Sequence, residues 1–392
     1  MDKEINEIIV LGAGMHGVLL AAKLASERKI KSNGIKITLI DKADSILSTM
    51  KKKVINGYEI NNGFYGIEMP RAKQTVQILK GLYGDDLLIK KNYLRLININ
   101  GSLIKFMSPF KQWPSSITLG MENIINLELI DNHTPEEISL KALSHINDYK
   151  LGKLFKKSFY RYSDSLKDTW SQFYPWFFPG EFLFPNMNDE GCQFYESYKK
   201  GYFDPYFLAP KSSLFDDLIK PLEQSLKDNG VNLKLGCEFS LNNNKETCSQ
   251  NQMRVWATSS FNLLLSKSKE FAHSLISSKR FHHLLLFKIP FNSVDSIINK
   301  FSSLPSEILS LDESSLGSSR ISFPESKELS LSNKSRLLLV EYYSLENSLT
   351  SLEIKGVSQA VSKLLKSNIE FISSEFGRTV YSVDNIKLEK AE

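Results

Sequence analysis

Residues 7–17 read EIIVLGAGMHG, and this stretch decides the fold. Its first part, Glu7–Leu11, carries an apolar run after its leading acid, as in a parallel strand that is buried on both faces. Its second part, Gly12–Gly17, has the spacing Gly-x-Gly-x-x-Gly. Apolar residues then recur at helical spacing and predict a helix over Val18–Ser26. A strand, a glycine turn and a helix in this order predict the first half of a βαβ unit.

The second strand of this unit is predicted over Ile35–Ile40, after a turn at Lys31–Gly34, and it ends at Asp41. In dinucleotide-binding βαβ units an acid at this point accepts hydrogen bonds from ribose hydroxyls. Asp41 follows Gly17 by 24 residues (41 − 17), slightly more than the usual ~20, and the turn accommodates the excess. The same acid disfavours NADP, because it would repel the 2′-phosphate.

Each glycine of the motif has a physical task in such a site. Gly12 permits the tight turn, Gly14 lets a pyrophosphate approach the backbone, and Gly17 lets the helix pack against the strand. The helix start adds free N–H groups and the positive end of its dipole. The alternative is a βαβ unit that keeps its glycines for packing alone. The predicted cofactor-binding residues are Gly12, Ala13, Gly14, Met15, His16, Gly17, Asp41 and Lys42, with His16 facing either a phosphate or solvent.

Composition describes a globular chain of ordinary polarity. Its 392 residues are 42% apolar and 24% charged, which suffices for two or three modules with a proper core. The net charge of +5 is mild, and the lysine pairs are scattered along the chain. A nucleic-acid interface concentrates its positive charge on one face, so we expect no nucleic-acid partner.

Other classes of site lack the residues that they need. The three cysteines form no Cys-x-x-Cys pair, and the adjacent His282 and His283 would point to opposite faces of a strand, so no metal site is predicted. No apolar run reaches the ~18 residues of a membrane helix, and the N-terminus does not have the pattern of a signal peptide. We therefore expect a cytoplasmic protein without an integral membrane segment; its oligomeric state stays open.

Further elements are predicted from local signals. Asn-Gly pairs indicate a turn within a strand over Val54–Ile60 and a hairpin over Ile97–Phe106. Helices are predicted over Pro70–Leu82 and from Ser213 to Lys227, the second ending at Asn229-Gly230. The predicted later strands are Val231–Leu235, Met253–Ala257, Leu284–Ile289, Ser319–Phe323 and Leu337–Tyr343. An aromatic stretch over 155–207 forms either a core or seam, which we favour, or a wall of a substrate pocket.

Ile8–Gly17 together with Ile37–Asp41 resembles the FAD-binding start of the amine oxidase-like flavoproteins. Within that group the chain is most similar to the protoporphyrinogen oxidase and UDP-galactopyranose mutase-like proteins of polysaccharide gene sets. Three further stretches, Gly57–Gly66, Pro210–Gly236 and Arg254–Thr258, are similar to the flavin-facing loop, to the segment that returns to the FAD domain, and to a strand near the pyrophosphate. These stretches cover about two thirds of the chain at low identity, and only the first is specific.

The resemblance implies FAD as cofactor and an α/β fold, in which a Rossmann-like FAD-binding domain carries an inserted α+β substrate domain. It adds Gly63 and Ala257 to the cofactor site and places Tyr65 and Arg71 on the side of a small-molecule substrate. Tyr65 is otherwise a packed aromatic and Arg71 a surface charge at a helix start. The implied segments are 1–100 and 208–270 for FAD binding, 101–207 as a mostly helical substrate or cap segment, 271–350 as the substrate-domain sheet, and 351–392 as a return segment.

Two departures from the family pattern bear on function. No glycine pair follows Asp41, and the chain stops at Glu392, soon after Phe376–Tyr381, where the family's flavin-closing segment would begin. The predicted function is an FAD-dependent oxidoreductase acting on a small or sugar-linked substrate, with a role in polysaccharide biosynthesis. The first alternative is a non-redox mutase that uses reduced flavin as nucleophile. The second is a degenerate nucleotide-binding pseudoenzyme or interaction protein, which the two departures favour.

Overall fold

The computed structural model of the chain describes residues 5–62, 66–69, 73–84, 88–92, 94–99, 101–105, 206–212, 214–238, 251–258, 269–274, 276–311, 319–324 and 335–383. These residues divide into two compact units, each assembled from separate segments. The first unit holds the described residues of 1–53, 65–91 and 207–275. The second holds those of 54–64, 92–206 and 276–392.

The regular elements alternate between strands and helices in the first unit and are mostly strands in the second. In chain order they are β1 (Glu7–Leu11), α1 (Met15–Ser26), α2 (Arg28–Ser32), β2 (Lys36–Ile40), β3 (Lys53–Ile55), β4 (Tyr58–Ile60), β5 (Ile67–Met69), α3 (Lys73–Tyr83), β6 (Leu88–Asn92), β7 (Arg95–Ile99), β8 (Ser102–Lys105), β9 (Tyr206–Pro210), α4 (Ile219–Asp228), β10 (Val231–Lys234), β11 (Gln252–Trp256), α5 (Lys269–Ser274), β12 (Ile276–Pro290), α6 (Asp295–Phe301), β13 (Glu307–Leu311), β14 (Arg320–Ser322), β15 (Ser335–Ser344), α7 (Ser351–Leu365) and β16 (Glu370–Val383).

The first unit is built on a parallel sheet with the strand order β10-β2-β1-β11. Val10 of β1 lies opposite Leu39 of β2 and Val255 of β11. Val10 and Leu39 are fully buried, which explains the near-continuous apolar runs of these strands. The two neighbours of β1 lie on opposite sides of it and come from different parts of the chain, so the carboxyl end of β1 is a topological switch point, where open α/β sheets bind ligands.

Helix α4, from the C-terminal segment of the first unit, is buried along one side and bonded to α3. A 3₁₀ turn, Phe215–Leu218, leads into α4, whose Leu222 and Leu226 are fully buried. The Ser225 hydroxyl donates a hydrogen bond to the carbonyl of Leu82, which ties α4 to α3. The predicted stop after α4 is confirmed, since Gly230 has the left-handed conformation expected there. The predicted cap Ser213 lies outside the described residues.

The second unit is a mixed sheet with the strand order β16-β12-β15-β14-β13-β7-β8. Neighbouring strands run antiparallel except β13 and β7, which are parallel. Helices α6 and α7 cover one face, where Phe287 and Val340 of the sheet pack with Val357 and Val361 of α7. The hairpin β3–β4 packs on the other face through buried isoleucine and leucine side chains: Ile55, Ile60, Leu284, Leu286, Leu337 and Leu339.

The α/β fold class predicted from the sequence is confirmed, with a Rossmann-like unit and a second unit that is rich in strands. Both predicted Asn-Gly turns lie between paired strands, β3–β4 and β7–β8, with Gly57 and Gly101 in the left-handed region. The segment 351–392 was predicted to return toward the FAD-binding domain. Its described part, 351–383, forms α7 and β16 of the second unit instead.

Candidate nucleotide-binding site

The glycine turn joins β1 to α1 against the end of β11. Gly12 has a φ of +107°, a conformation that L side chains rarely adopt. A Cβ on Gly12 would lie 3.1 Å from the Thr258 Cβ and 3.3 Å from the carbonyl carbon of Ala257. The Ala257 N–H donates to the carbonyl of Leu11 at 2.8 Å. The turn therefore combines the backbone strain and the close packing that require glycine at position 12.

Gly17 sits where α1 crosses the turn. A Cβ there would lie 1.7 Å from the carbonyl oxygen of Gly12 and 3.3 Å from the Ala257 Cβ. The first of these distances is far inside van der Waals contact, so no side chain fits without moving the backbone. Gly17 thus performs the packing task that the motif predicts for it.

Gly14 differs from the other two glycines. Its φ of −69° is open to any residue, and a Cβ on it would meet no protein atom within 4 Å. Packing and backbone strain therefore do not require glycine at this position. Glycine is favoured over alanine at a helix N-cap, and its bare backbone also suits a bound group that approaches at this point, as a pyrophosphate does.

The start of α1 suits an anion. Gly14 precedes Met15, the first helical residue, and no side chain caps this helix end. The first intrahelical hydrogen bond runs from the Val18 N–H to the Gly14 carbonyl, so the earlier N–H groups have no acceptor within the helix. The first turn contains no acid. No acid of the first turn itself therefore competes with a bound anion for the positive end of the helix dipole.

Asp41 lies beside the turn and orders the backbone around it. Its Oδ2 accepts the Ala13 N–H at 2.6 Å, and its Oδ1 accepts the Ala43 N–H at 2.8 Å. An ionised carboxylate offers about four acceptor positions, so each oxygen keeps capacity for a further donor. Such capacity, next to Gly12–Gly17, is what a pair of ribose hydroxyls requires.

The segment after Asp41 folds back onto the glycine turn although it lacks the family's glycine pair. The Leu47 N–H donates to the Ala13 carbonyl at 2.8 Å, and Leu47 has a left-handed φ of 50°. Left-handed backbone is usually supplied by glycine, and in leucine it costs ~1–2 kcal/mol. Burial of the Leu47 and Ile46 side chains offsets this cost. The loop therefore keeps its contact with the turn by another means.

The ion pair at the outer side of this loop is solvent-exposed. The Lys51 Nζ lies 2.9 Å from the Asp44 Oδ1. The hydrogen bond and the positive charge of Lys51 lower the pKa of the Asp44 carboxyl. Lys51 is therefore engaged with Asp44, whereas Lys42, which directly follows Asp41, is exposed.

The structure brings together most of the residues that the sequence predicted for the cofactor. This group is Gly12, Ala13, Gly14, Met15, His16, Gly17, Asp41, Lys42 and Ala257, and His16 is exposed on the first turn of α1. Gly63, Tyr65 and Arg71 lie outside the described residues. Sequence reasoning missed Leu47 and Thr258, which contact the turn only through the tertiary fold.

A row of polar side chains crosses one face of the seven-stranded sheet in the second unit. Arg95 of β7 pairs with Glu307 of β13, and Arg320 of β14 lies 3.5 Å from both Glu307 and Glu341. The Glu341 carboxylate of β15 in turn lies 3.2 Å from the His282 Nε2 of β12. All except Arg320 are buried. Charges of alternating sign on the four adjacent strands β7, β13, β14 and β15 balance one another in this row.

His282 ends the row in a position that its neighbours define closely. Its ring stacks on Tyr343 with centroids 4.9 Å apart. A Cβ on Gly377 would lie 2.3 Å from the His282 Nδ1, so glycine at 377 makes room for the imidazole. Burial, and then the charge of Glu341, raise the pKa of the Tyr343 hydroxyl. Tyr343 therefore stays neutral near pH 7.

Across the part of the chain that the structure describes, no three His, Cys, Asp or Glu side chains are placed to hold a metal ion. A search of the same residues for helices long and apolar enough to span a bilayer finds none.

The fold of the chain is that of flavin-type oxidoreductases with a Rossmann-like nucleotide unit. It is similar to a protoporphyrinogen oxidase-like protein from Exiguobacterium sp. 255-15, with a TM-score of 0.54 and 12% identity over 97% of this chain and 87% of that one. It is also similar to a Pyrococcus furiosus protein, with a TM-score of 0.55 and 14% identity over 94% of this chain and 87% of that one. A putrescine oxidase variant has a TM-score of 0.53 and 10% identity over 98% of this chain and 90% of that one. No protein-family model matches the sequence, and no curated protein matches it.

These similarities confirm, at the level of the fold, the resemblance to amine oxidase-like flavoproteins. The identities of 10–14% carry the architecture and no particular reaction.

Proposed function

We propose that the chain is an FAD-dependent oxidoreductase whose first unit holds the ADP half of FAD. The observation that carries the proposal is the open space at Gly14, in front of an uncapped helix start and beside the Asp41 carboxylate. A pyrophosphate would fill the space at Gly14, and a ribose would lie beside the Asp41 carboxylate. Oxidoreductases that share the fold support the same assignment.

FAD is favoured over the other dinucleotides by charge and by resemblance. The Asp41 carboxylate would repel the 2′-phosphate of NADP. NAD carries the same ADP half, so the βαβ unit alone admits either. FAD is the cofactor that the resemblance of Ile8–Gly17 and Ile37–Asp41 implies, and fold relatives such as putrescine oxidase agree with it.

The residues of the first unit would position the cofactor. FAD, when bound, supplies two-electron redox chemistry, and the protein supplies orientation and exclusion of water. The N–H groups at the start of α1 would hold the pyrophosphate, and Asp41 would fix the adenosine ribose. Ala13 and Ala43 hold the Asp41 carboxylate in place through their backbone N–H groups.

The substrate is proposed only by class. A small or sugar-linked molecule, as in polysaccharide biosynthesis, agrees with the resemblance, and Tyr65 and Arg71 are proposed on the substrate side with Gly63 near the flavin. A mutase that uses reduced flavin would turn over only under reducing conditions. An oxidoreductase would instead consume an electron acceptor in stoichiometric amounts.

A binding titration with a matched pair of variants tests the proposal. The full chain is titrated with FAD, FMN, NAD and NADP, and binding is followed by calorimetry. Gly14→Ala adds a methyl where the cofactor would lie, and Gly81→Ala adds one on α3 that likewise meets no protein atom within 4 Å. We expect FAD to bind most tightly, Gly14→Ala to weaken it at least tenfold (about 1.4 kcal/mol), and Gly81→Ala to leave it unchanged.

Two results would count against the proposal. Equal FAD affinity in the wild type and Gly14→Ala would remove the cofactor from this site. Failure of the wild type to bind any dinucleotide would favour the alternative of a degenerate interaction protein, which the missing glycine pair after Asp41 suggested.

A further inference from the structure

Strand β16 forms one edge of the seven-stranded sheet. It comprises Glu370–Val383, 14 residues, and pairs with β12 on one side. Among the described strands none pairs with its other side. An edge strand of this length presents a row of backbone donors and acceptors that suits pairing with another chain.

The side chains of β16 are more accessible than those of its neighbour. β12 is almost entirely buried between Phe281 and Ile289, whereas residues 370–381 of β16 are exposed or half-buried. Large apolar side chains are among the exposed ones: Phe371 is 38% exposed, and Phe376 and Tyr381 are 40% exposed. Exposed aromatic area on an edge strand favours association.

β16 carries few of the features that keep edge strands apart. Natural edges are protected by lysine, proline or inward-pointing charges. Between residues 370 and 383 there is no lysine and no proline, and the charged residues are Glu370, Glu375 and Arg378. The protection that remains is a pair of bulges, where Ile372 and Gly377 have no Cα partner on β12.

We infer that two copies of this chain associate through β16, as antiparallel neighbours about a two-fold axis between Phe376 and Gly377. That axis is the midpoint of 370–383, so it pairs the strand over its whole length. In this register Glu375 of one copy lies opposite Arg378 of the other, and the symmetry makes this contact twice. The pairing that uses every residue therefore also places the opposite charges across from each other.

Other cross-strand neighbours in this register are compatible. Ser374 lies opposite Thr379, and the two share one face of the sheet, a serine–threonine pair of the kind that stabilises sheets. Phe376 lies opposite Gly377, so no second large side chain faces its ring. No like charges face each other. The pair of strands joins two seven-stranded sheets into one.

Charge-reversal variants of the full chain test the proposed register between the two β16 strands. Glu375→Arg places two arginine side chains opposite each other, so we expect the dimer dissociation constant to rise at least tenfold in sedimentation equilibrium. Arg378→Glu acts in the same direction. The double variant Glu375→Arg/Arg378→Glu restores the opposite pairing and the wild-type constant. Glu370→Arg, on the same strand but opposite Val383, is the matched control and leaves the dimer intact.

A monomeric wild type at every concentration overturns the inference, as does a dimer that Glu375→Arg leaves unchanged. Glu375 is exposed, so its substitution should not prevent folding. Thermal unfolding of each variant is measured as the control for folding. Hydrogen exchange of the wild type gives a second readout. Amides of 370–383 are expected to gain protection as the protein concentration rises through the dissociation constant, and concentration-independent exchange contradicts the pairing.

Discussion

At Gly17 and Gly14 a single methyl group would have unequal consequences. We expect Gly17→Ala to lower the free energy of unfolding by 2 kcal/mol or more, on the order of an overpacked core, because its Cβ would meet the Gly12 carbonyl oxygen at 1.7 Å. Gly14→Ala should lower it by less than about 1 kcal/mol, because its methyl meets no protein atom within 4 Å and only the preference of a helix N-cap for glycine over alanine is lost. Urea denaturation measures both. Equal losses in the two variants would contradict the geometry.

His283 makes the second unit sensitive to acid. Burial lowers the pKa of His283, although its contact with the Glu346 carbonyl at 3.2 Å acts the other way. Below the ordinary histidine pKa of about 6.5 the unfolded chain takes up a proton that folded His283 resists. Stability is therefore expected to fall as pH drops below that value and to be constant above it, as far as His283 contributes.

Histidine variants isolate this contribution. His283→Gln keeps a donor toward the Glu346 carbonyl and loses the titration, so its unfolding midpoint should fall less between pH 7 and pH 5.5 than that of the wild type. His273→Gln, at an exposed position of α5, should retain the wild-type profile. Identical profiles for wild type and His283→Gln would show that His283 protonates equally in both states.

Residues whose task is local are the ones that a sequence indicates most readily. Gly12 and Gly17 pack within one turn, so their spacing alone predicts that packing. Leu47 reaches the same turn through the loop after Asp41, and nothing in its identity marks a left-handed residue. The polar row was missed for a similar reason, because it depends on the register of five strands from distant parts of the chain.

Helix α7 depends on a capping box at its start. The Thr350 hydroxyl accepts the Glu353 N–H, and the Glu353 carboxylate accepts the Thr350 N–H. We expect Thr350→Ala to destabilise the protein by about 1 kcal/mol. Gln359→Ala, exposed in the middle of the same helix, should be near neutral. Thermal unfolding compares the two, and a Thr350→Ala midpoint equal to that of Gln359→Ala would contradict the cap.

Two elements of the second unit were absent from the sequence prediction for different reasons. Helix α7 had a usable signal, since Thr350-x-x-Glu353 precedes apolar residues at helical spacing. β16 had little signal in the sequence, because serines and bulges interrupt the alternation of apolar and polar residues. Its partner β12 also lies almost a hundred residues earlier. Strand pairing over such distances is set by tertiary packing rather than local propensity.

At the scale of the whole molecule, the buried row links β7, from the N-terminal part of the chain, to β13–β15 from its C-terminal part. Glu307 lies between Arg95 and Arg320 and is 1% exposed. We expect Glu307→Gln to cost about 3–5 kcal/mol, as when one partner of a buried pair is removed. Glu370→Gln, exposed on β16, should cost under 0.5 kcal/mol. Chemical denaturation measures both, and a Glu307→Gln loss as small as that of Glu370→Gln would contradict the ion-pair row.

The fold class could be predicted from the sequence because residues 7–41 carry the βαβ pattern of the first unit. The assignment of the other segments to the two units could not be predicted. β3, β4 and β7 fall within the predicted first FAD-binding segment, 1–100, yet they pack in the second unit. The alternation in a strand's sequence shows which residues share a face. It does not show which sheet the strand joins, because that depends on pairing with strands that are distant in sequence.

Whether the first unit holds FAD can be read from one visible absorption spectrum. The full chain is incubated with FAD, freed of excess by gel filtration and examined by visible absorption. We expect the two flavin bands at about one flavin per chain in the wild type and in Gly81→Ala, and clearly weaker bands in Gly14→Ala. A colourless wild-type protein, or a Gly14→Ala variant as yellow as the wild type, would contradict this expectation.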